Sequence, residues 1–209
     1  ELIDEGPYKI WNTGKPASDY HDLFVAENAN SDEYILAIKY DKKIPTCHDA
    51  YGFSFTTARG MPGYTRKFVN MYLMKDGSRF TDRAGWQEMT YADEIKDRDP
   101  PLTQSIRTPG FTLNTTAYNP HPSDGVTRND YCSNDMPVFR IAEVMLNYAE
   151  ARAELGELTQ EDLNKTVNKI RSRAGMPNLD MAAANANPDY YLASAEYGYP
   201  NVTGANKGV

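Results

Sequence analysis

Apolar residues follow a helical period most clearly between residues 140 and 155. Ile141, Met145 and Tyr148 recur on one side, and small or apolar residues widen this side into a stripe. The stripe predicts one helix over 140–155, which Gly156 ends.

A second helix follows after a four-residue connection. Thr159 is its predicted N-cap, and Asp162, three residues later, completes a capping box. Gly175 and Pro177 mark its end. Two antiparallel helices of this length predict an αα-hairpin close in size to a tetratricopeptide unit, which needs neighbouring units to bury its faces.

The other predicted elements are shorter. A helix near 19–26 has Ser18 as its N-cap, residues 33–40 alternate as a strand with both faces partly covered, and a helix covers 65–75. Residues 78–135 are rich in turn signals and predict mostly loop, a length that indicates either function or disorder.

The predicted fold class is therefore mainly α, with irregular loop-rich and minor β parts. It divides into a loop-rich subdomain over 1–135 that faces a ligand, the tetratricopeptide-like αα-hairpin over 136–177, and an extended surface tail over 178–209.

Composition changes this picture in two respects. The net charge of −7, with scattered basic residues, excludes a nucleic-acid site, because no Lys or Arg run could neutralise several phosphates. The chain has 15 Tyr residues, which suit half-exposed surfaces that hold amphipathic ligands such as sugars, although Tyr also fills the rim of a core.

Cys47 and Cys132 match no zinc or redox spacing, so we expect two thiols, with a disulfide left open.

No catalytic, metal or cofactor motif is present in the sequence. His21, His48 and His121 lie in loop-like segments outside any metal-ligand pattern. A glycosidase needs two carboxylates on either side of a bond, and none of the 29 acids forms a recognisable pair. We therefore predict a protein without catalysis, cofactor or bound metal.

Aromatic residues in the predicted loops are the remaining candidates for ligand binding. A planar ring can stack on the C–H face of a sugar while polar groups bind the hydroxyls. The candidate ligand-binding residues are Trp86, Tyr64, Tyr51 and Trp11. Trp86, which lies in a polar turn-rich stretch, either packs or binds.

The helical hairpin carries a resemblance to a known family. The stretch from Pro137 to Ala151, continued by Val167 to Pro177, resembles the signature helices of the SusD/RagB family. Upstream, Tyr72 to Gly77 and Asp97 to Leu102 resemble two shorter family segments, although Pro101 stands where the family pattern has arginine.

This resemblance implies a glycan-binding lipoprotein of the outer membrane and cell surface. Such a protein is lipid-anchored through an N-terminal cysteine and delivers glycans to a SusC-like TonB-dependent transporter. The resemblance also implies that the sequence is an internal piece of a longer protein. Two alternatives stay open, namely a protein-interaction module that contacts only the transporter and, less favoured, a secreted glycoside hydrolase.

Overall fold

The computed structural model describes residues 1–41, 43, 47–50, 63–106, 108 and 132–193. The described part is mostly helical, which confirms the predicted fold class. Two short 3-10 helices, Phe80–Asp82 and Trp86–Glu88, lie between the α-helices. The remaining elements, in chain order, are α1 Asp19–Val25, β1 Tyr34–Ile38, α2 Arg66–Asn70, α3 Tyr91–Glu94, α4 Pro100–Ser105, β2 Met136–Arg140, α5 Ile141–Glu154, α6 Gln160–Lys165, α7 Val167–Arg173 and α8 Met181–Ala186.

The two strands form an antiparallel pair that joins the loop-rich part to the hairpin. Tyr34 pairs with Arg140 and Ile38 pairs with Met136, with irregular register between these ends. The predicted strand is present as β1, whereas β2 was not predicted. Five residues that run directly into a helix give no separate strand signal, and their partner lies about a hundred residues away in the chain.

The hairpin begins as predicted, with α5 over Ile141–Glu154. The capping box of Thr159 and Asp162 is present in both directions. The predicted second helix is instead two helices, α6 and α7, because Thr166 leaves helical geometry at φ −124° and ψ −91°. The Thr166 hydroxyl donates to the carbonyl of Asp162 at 2.5 Å, and such a bond back along the helix favours a bend.

The helix predicted over 65–75 is shorter in the structure. It ends at Asn70, and Leu73 and Met74 form isolated strand-like bridges with Arg79 and Arg98. Arg98 is buried and donates to the carbonyls of Val69 at 2.8 Å and Tyr72 at 2.6 Å. A side chain distant in sequence therefore binds these carbonyls. The period of apolar residues cannot predict such a contact.

The segments predicted as loop and tail also contain helices. α3 and α4 lie within 78–135, and α8 lies within 178–209. Pro100 begins α4, where a missing N–H costs nothing, and the Asp180 side chain accepts from the backbone N–H of Ala183 at the start of α8. The sequence did not predict these short helices, because helices held by caps have too few residues to show a period.

A buried carboxylate ties the N-terminal segment to the hairpin. Glu33 is fully buried and accepts from the guanidinium of Arg173 at 2.8 and 2.9 Å and from that of Arg140 at 2.9 Å. It also accepts from the backbone N–H of Trp11 at 2.8 Å. The buried apolar residues of the described part include Leu23, Tyr34, Phe80, Leu102, Ile141, Met145 and Leu163.

Cys47 and Cys132 are not joined in a disulfide, as expected, and Cys132 is buried. Ser18 occupies the predicted N-cap position of α1, but its side chain makes no capping bond. Within the described ranges, the helices are all too short or too polar to cross a membrane.

Candidate functional site

Helix α2 is short and begins at a defined N-cap. The Thr65 hydroxyl accepts from the backbone N–H of Phe68 at 3.3 Å. Helical geometry places Arg66 and Asn70 on one face, and it places Phe68 on the opposite face. The helix therefore presents two chemically different sides.

Polar contacts tie the side of α2 with Arg66 and Asn70 to neighbouring segments, with the Arg66 side chain itself 52% exposed. The Arg66 guanidinium donates to the carbonyl of Gln87 at 3.0 Å and forms an ion pair with the Glu94 carboxylate. Asn70, only 6% exposed, donates to the hydroxyl of Tyr191 at 3.2 Å. These bonds fix the orientation of α2 and leave its other side free.

The free side carries stacked aromatic rings. The rings of Tyr64 and Phe68 lie 5.0 Å apart between centroids with an interplanar angle of 21°. Tyr72 meets Phe68 edge to face at 5.7 Å and 90°. We call these three residues the aromatic ridge.

Exposure within the aromatic ridge decreases along the chain. Tyr64 is 58% exposed and Phe68 is 41% exposed, whereas Tyr72 is half-buried. Burial raises the pKa of the Tyr72 hydroxyl, which therefore stays protonated at neutral pH. The ridge is thus anchored at Tyr72 and offers flat apolar surface to the solvent at Tyr64 and Phe68.

A pair of nearly parallel exposed rings has a defined binding chemistry. Large apolar side chains held outward by polar contacts on the inner side indicate a binding surface more than a core. Flat ring faces suit ligands with a flat apolar face, such as the C–H face of a sugar ring.

The structure places Trp86 on the other side of α2. Its ring lies edge to face with Phe80 at 6.1 Å and with Tyr191 at 5.5 Å, and the side chain is half-buried. Of the two alternatives for Trp86, these contacts favour packing. The ring contacts of Trp86 are therefore with Phe80 and Tyr191, whereas Tyr64 stacks on Phe68.

Of the two other candidates, the structure describes only Trp11. Trp11 is half-buried, and its backbone N–H is held by Glu33. Tyr51 lies outside the described residues. Phe68 was not among the predicted site residues, although the spacing of Tyr64, Phe68 and Tyr72, four residues apart, is a signal that could have identified the ridge.

Each of the described histidines lies within hydrogen-bonding distance of a polar side chain. His48 places its Nε2 3.0 Å from the side-chain oxygen of Asn134, and His21 places its Nδ1 3.1 Å from the carboxylate of Asp22. His121 lies outside the described residues. In the part of the chain that the structure describes, no group of three or more His, Cys, Asp or Glu residues could hold a metal ion.

Comparison with known proteins supports the resemblance seen in the sequence. Residues 116–202 match the model of the SusD family. A solved structure, a SusD-like carbohydrate binding protein from Bacteroides fragilis, is similar with a TM-score of 0.52 and 23% identity over 71% of this chain. The match covers 35% of that protein, so this chain spans about a third of its length. No curated protein matches the chain.

Proposed function

We propose, from the premise that this chain carries a SusD-family segment within a SusD-like fold, that it belongs to a protein that binds glycans without transforming them. The single observation that carries the proposal is the aromatic ridge, with two stacked rings directed to solvent. A sugar of the glycan would lie with its C–H face against the outer face of the Tyr64 ring, which Phe68 supports by stacking on the opposite face.

The roles of the buried acids support binding over hydrolysis. Glu33 neutralises Arg140 and Arg173, and Asp19 accepts from the backbone N–H groups of Thr13 and Lys15. Asp162 caps α6 and accepts from Tyr148, and these hydrogen bonds hold the pKa of its carboxyl down to about 2. A glycosidase needs one acid with a raised pKa facing a second carboxylate across the substrate. Glu33, Asp19 and Asp162 are each committed to holding the fold. Asp99, whose pKa burial raises to about 6, has Arg171 and Arg98 as the charges that face it.

The proposal extends to the setting that the family resemblance implies. The protein would be lipid-anchored at the cell surface of the outer membrane and would deliver glycans to a SusC-like TonB-dependent transporter. Co-purification of the full-length protein with the transporter from outer membranes tests this part.

A protein-interaction module is the second candidate. The observation that favours it is the apolar surface of the β1–β2 pair, where several large side chains are exposed: Leu36, Ile38, Met136, Val138 and Phe139. A module of this kind would bind the transporter and no glycan.

The aromatic ridge provides the test of glycan binding. Affinity electrophoresis of the full-length protein in gels containing single plant or host polysaccharides would compare the wild type with Tyr64→Ala and Phe68→Ala. Stacking of one sugar on one ring contributes on the order of 1 kcal/mol to binding. Each variant should therefore bind the polysaccharides that retard the wild type about five- to tenfold more weakly.

Two variants serve as matched controls. Tyr190→Ala removes a tyrosine that is 75% exposed, and Phe139→Ala removes an exposed phenylalanine on β2. Both should migrate as the wild type does. Equal retardation of all five proteins would reject the ridge as the site, and a folded wild type that no polysaccharide retards would favour the interaction module.

A further inference from the structure

A cavity open to solvent lies on the hairpin, outside the aromatic ridge. It has a volume of about 510 Å³ and lies between the N-terminal segment and helices α6 and α7. This volume is within the range of small-molecule sites. Most of its lining carries amide, hydroxyl or ammonium groups, contributed by Asn12, Asn164, Asn168, Lys169, Ser172 and Asn178.

A ladder of side-chain amides forms the floor of this cavity. The side-chain oxygen of Asn164 accepts from Gln160 at 3.0 Å and from Asn168 at 2.9 Å. Both bonds use the oxygen end of the Asn164 amide. The amide nitrogen of Asn164, which carries two donors, has no protein acceptor among the described residues.

The same ladder fixes the far wall of the cavity. The Asn168 side chain accepts from the backbone N–H of Leu179 at 2.6 Å and donates to its carbonyl at 3.2 Å. Gln160 donates to the Leu179 carbonyl at 3.0 Å and accepts from the backbone N–H of Met181 at 2.8 Å. Asn178 is therefore held beside the helices before any ligand arrives.

The described residues that line the cavity supply hydrogen-bond donors and ammonium groups, with no negatively charged side chain among them. Lys169 forms no ion pair within the described ranges, and the other lysine at the cavity, Lys9, pairs with Asp32 at 3.3 Å. None of the described residues that line the cavity is an acid. In a chain whose net charge is −7, this concentration of donors and ammonium groups favours a negatively charged ligand.

We propose that this cavity is a second binding site, which takes an acidic sugar unit carrying a carboxylate or a sulfate. Lys169 supplies the positive charge, and the amides of Asn164 and Asn178 donate to the anionic oxygens or to ring hydroxyls. The ligand's being a sugar rests on the proposed glycan function. The preference for negative charge rests on the cavity alone.

Calorimetric titration of the full-length protein at low ionic strength tests this site. The probes are trigalacturonic acid, its fully methyl-esterified form, which has the same ring shape without the charge, and a sulfated chondroitin disaccharide. Asn164→Asp keeps the oxygen that Gln160 and Asn168 bind, while it replaces two donors by a negative charge. Lys169→Gln removes the positive charge and keeps a hydrogen-bonding chain.

The wild type should bind at least one acidic probe and should bind the esterified probe more weakly. Each cavity variant should lower the affinity for the acidic probe about tenfold. The control is Lys96→Gln, which removes an exposed lysine that lies away from the cavity and pairs with Asp93. This variant should bind the acidic probe as tightly as the wild type does. Tyr64→Ala should keep the acidic probe bound.

Failure of this site can be separated from failure of glycan binding. Equal affinity of wild type and both cavity variants for trigalacturonic acid would overturn the cavity site, whatever the aromatic ridge does. Loss of acidic-probe binding in Tyr64→Ala alone would overturn it as well and would assign that binding to the ridge. No binding of either acidic probe, with retained ridge-dependent binding of neutral glycans, would reject the cavity and keep the proposed function. Near-ultraviolet circular dichroism of each variant would confirm that it is folded.

Discussion

At the scale of single residues, Glu33 holds the largest concentration of buried charge that the structure describes. Its carboxylate receives two guanidinium groups, and the side chains of Glu33 and Arg173 are almost completely removed from water. The Arg140 guanidinium also lies over the ring of Phe24 at 4.8 Å, and that of Arg173 lies over Tyr20 at 5.5 Å. One acidic residue therefore orders two helix ends and two aromatic rings of α1.

Glu33→Gln should destabilise the protein strongly. The amide keeps the shape but removes the negative charge, which leaves two guanidinium groups close together and Arg173 buried without the carboxylate that accepts its hydrogen bonds. Breaking a buried ion pair by loss of one partner costs about 3–5 kcal/mol. Urea unfolding followed by circular dichroism measures this change.

The control for this substitution is Glu143→Gln, on the exposed surface of α5. It should change the free energy of unfolding by less than about 0.5 kcal/mol. Equal stability of both variants would show that the Glu33 cluster does not contribute as the geometry implies.

At the scale of elements, α5 and α7 are each followed by a glycine in left-handed geometry. Gly156 has φ 70° and Gly175 has φ 69°. The sequence predicted both positions, but it did not distinguish them. Only the structure shows that Gly175 lies against Pro16 of the N-terminal segment, whereas the position of a Cβ on Gly156 is open.

Gly156→Ala and Gly175→Ala should therefore differ in stability. Both place an alanine at positive φ, which costs roughly 1–2 kcal/mol. At Gly175 the new Cβ would also lie 2.7 Å from the Cβ of Pro16, so the N-terminal segment would have to shift. Urea unfolding should show the larger loss for Gly175→Ala, and equal losses would mean that the contact with Pro16 yields without cost.

At the scale of the whole molecule, the region around α2 meets the hairpin and the segment after it at several polar contacts. Arg79 forms an ion pair with Asp189 at 3.3 Å, and Asn70 reaches Tyr191. Asp99, at the start of α4, faces the charge of Arg171 on α7. One carboxylate oxygen of Asp99 is buried and has no hydrogen-bond partner in the part of the chain that the structure describes.

The stability of this junction should depend on the ionisation of Asp99. Burial raises the pKa of its carboxyl from 3.8 to about 6, although Arg171 and Arg98 act in the opposite direction. A raised pKa means that the fold favours the protonated form. The contribution of Asp99 to stability is therefore fully present below pH 3.8 and is lost as the pH rises through about 6.

Asp99→Asn mimics the protonated acid and should remove this dependence. The variant should match the wild type near pH 4 and should melt at a higher temperature than the wild type at pH 7. Thermal unfolding at steps of pH between 4 and 7 measures the difference. Glu150→Gln, on the surface of α5, controls for the loss of one negative charge, and a variant that melts below the wild type at pH 7 would contradict the prediction.

The sequence predicted the candidate site only in part. Tyr64 was predicted as a ligand contact and lies on the aromatic ridge, while the same criterion, an aromatic residue in a loop, also selected Trp86, which packs between Phe80 and Tyr191. The criterion could not separate the two, because exposure depends on which side of α2 faces the protein. That orientation is set by Arg66 and Asn70, through partners that lie between 21 and 121 residues away in the chain.

The sequence by itself determined α5, the capping box at Thr159 and the glycine stops, because these depend on interactions between residues within a few positions of each other. It also carried the family resemblance, which lies mainly in the same hairpin. Only the tertiary structure decided the β1–β2 pairing, the Glu33 cluster and the outward position of the aromatic ridge. Glu33 meets Arg140 and Arg173 across 107 and 140 residues, and no local pattern records a contact between segments so far apart.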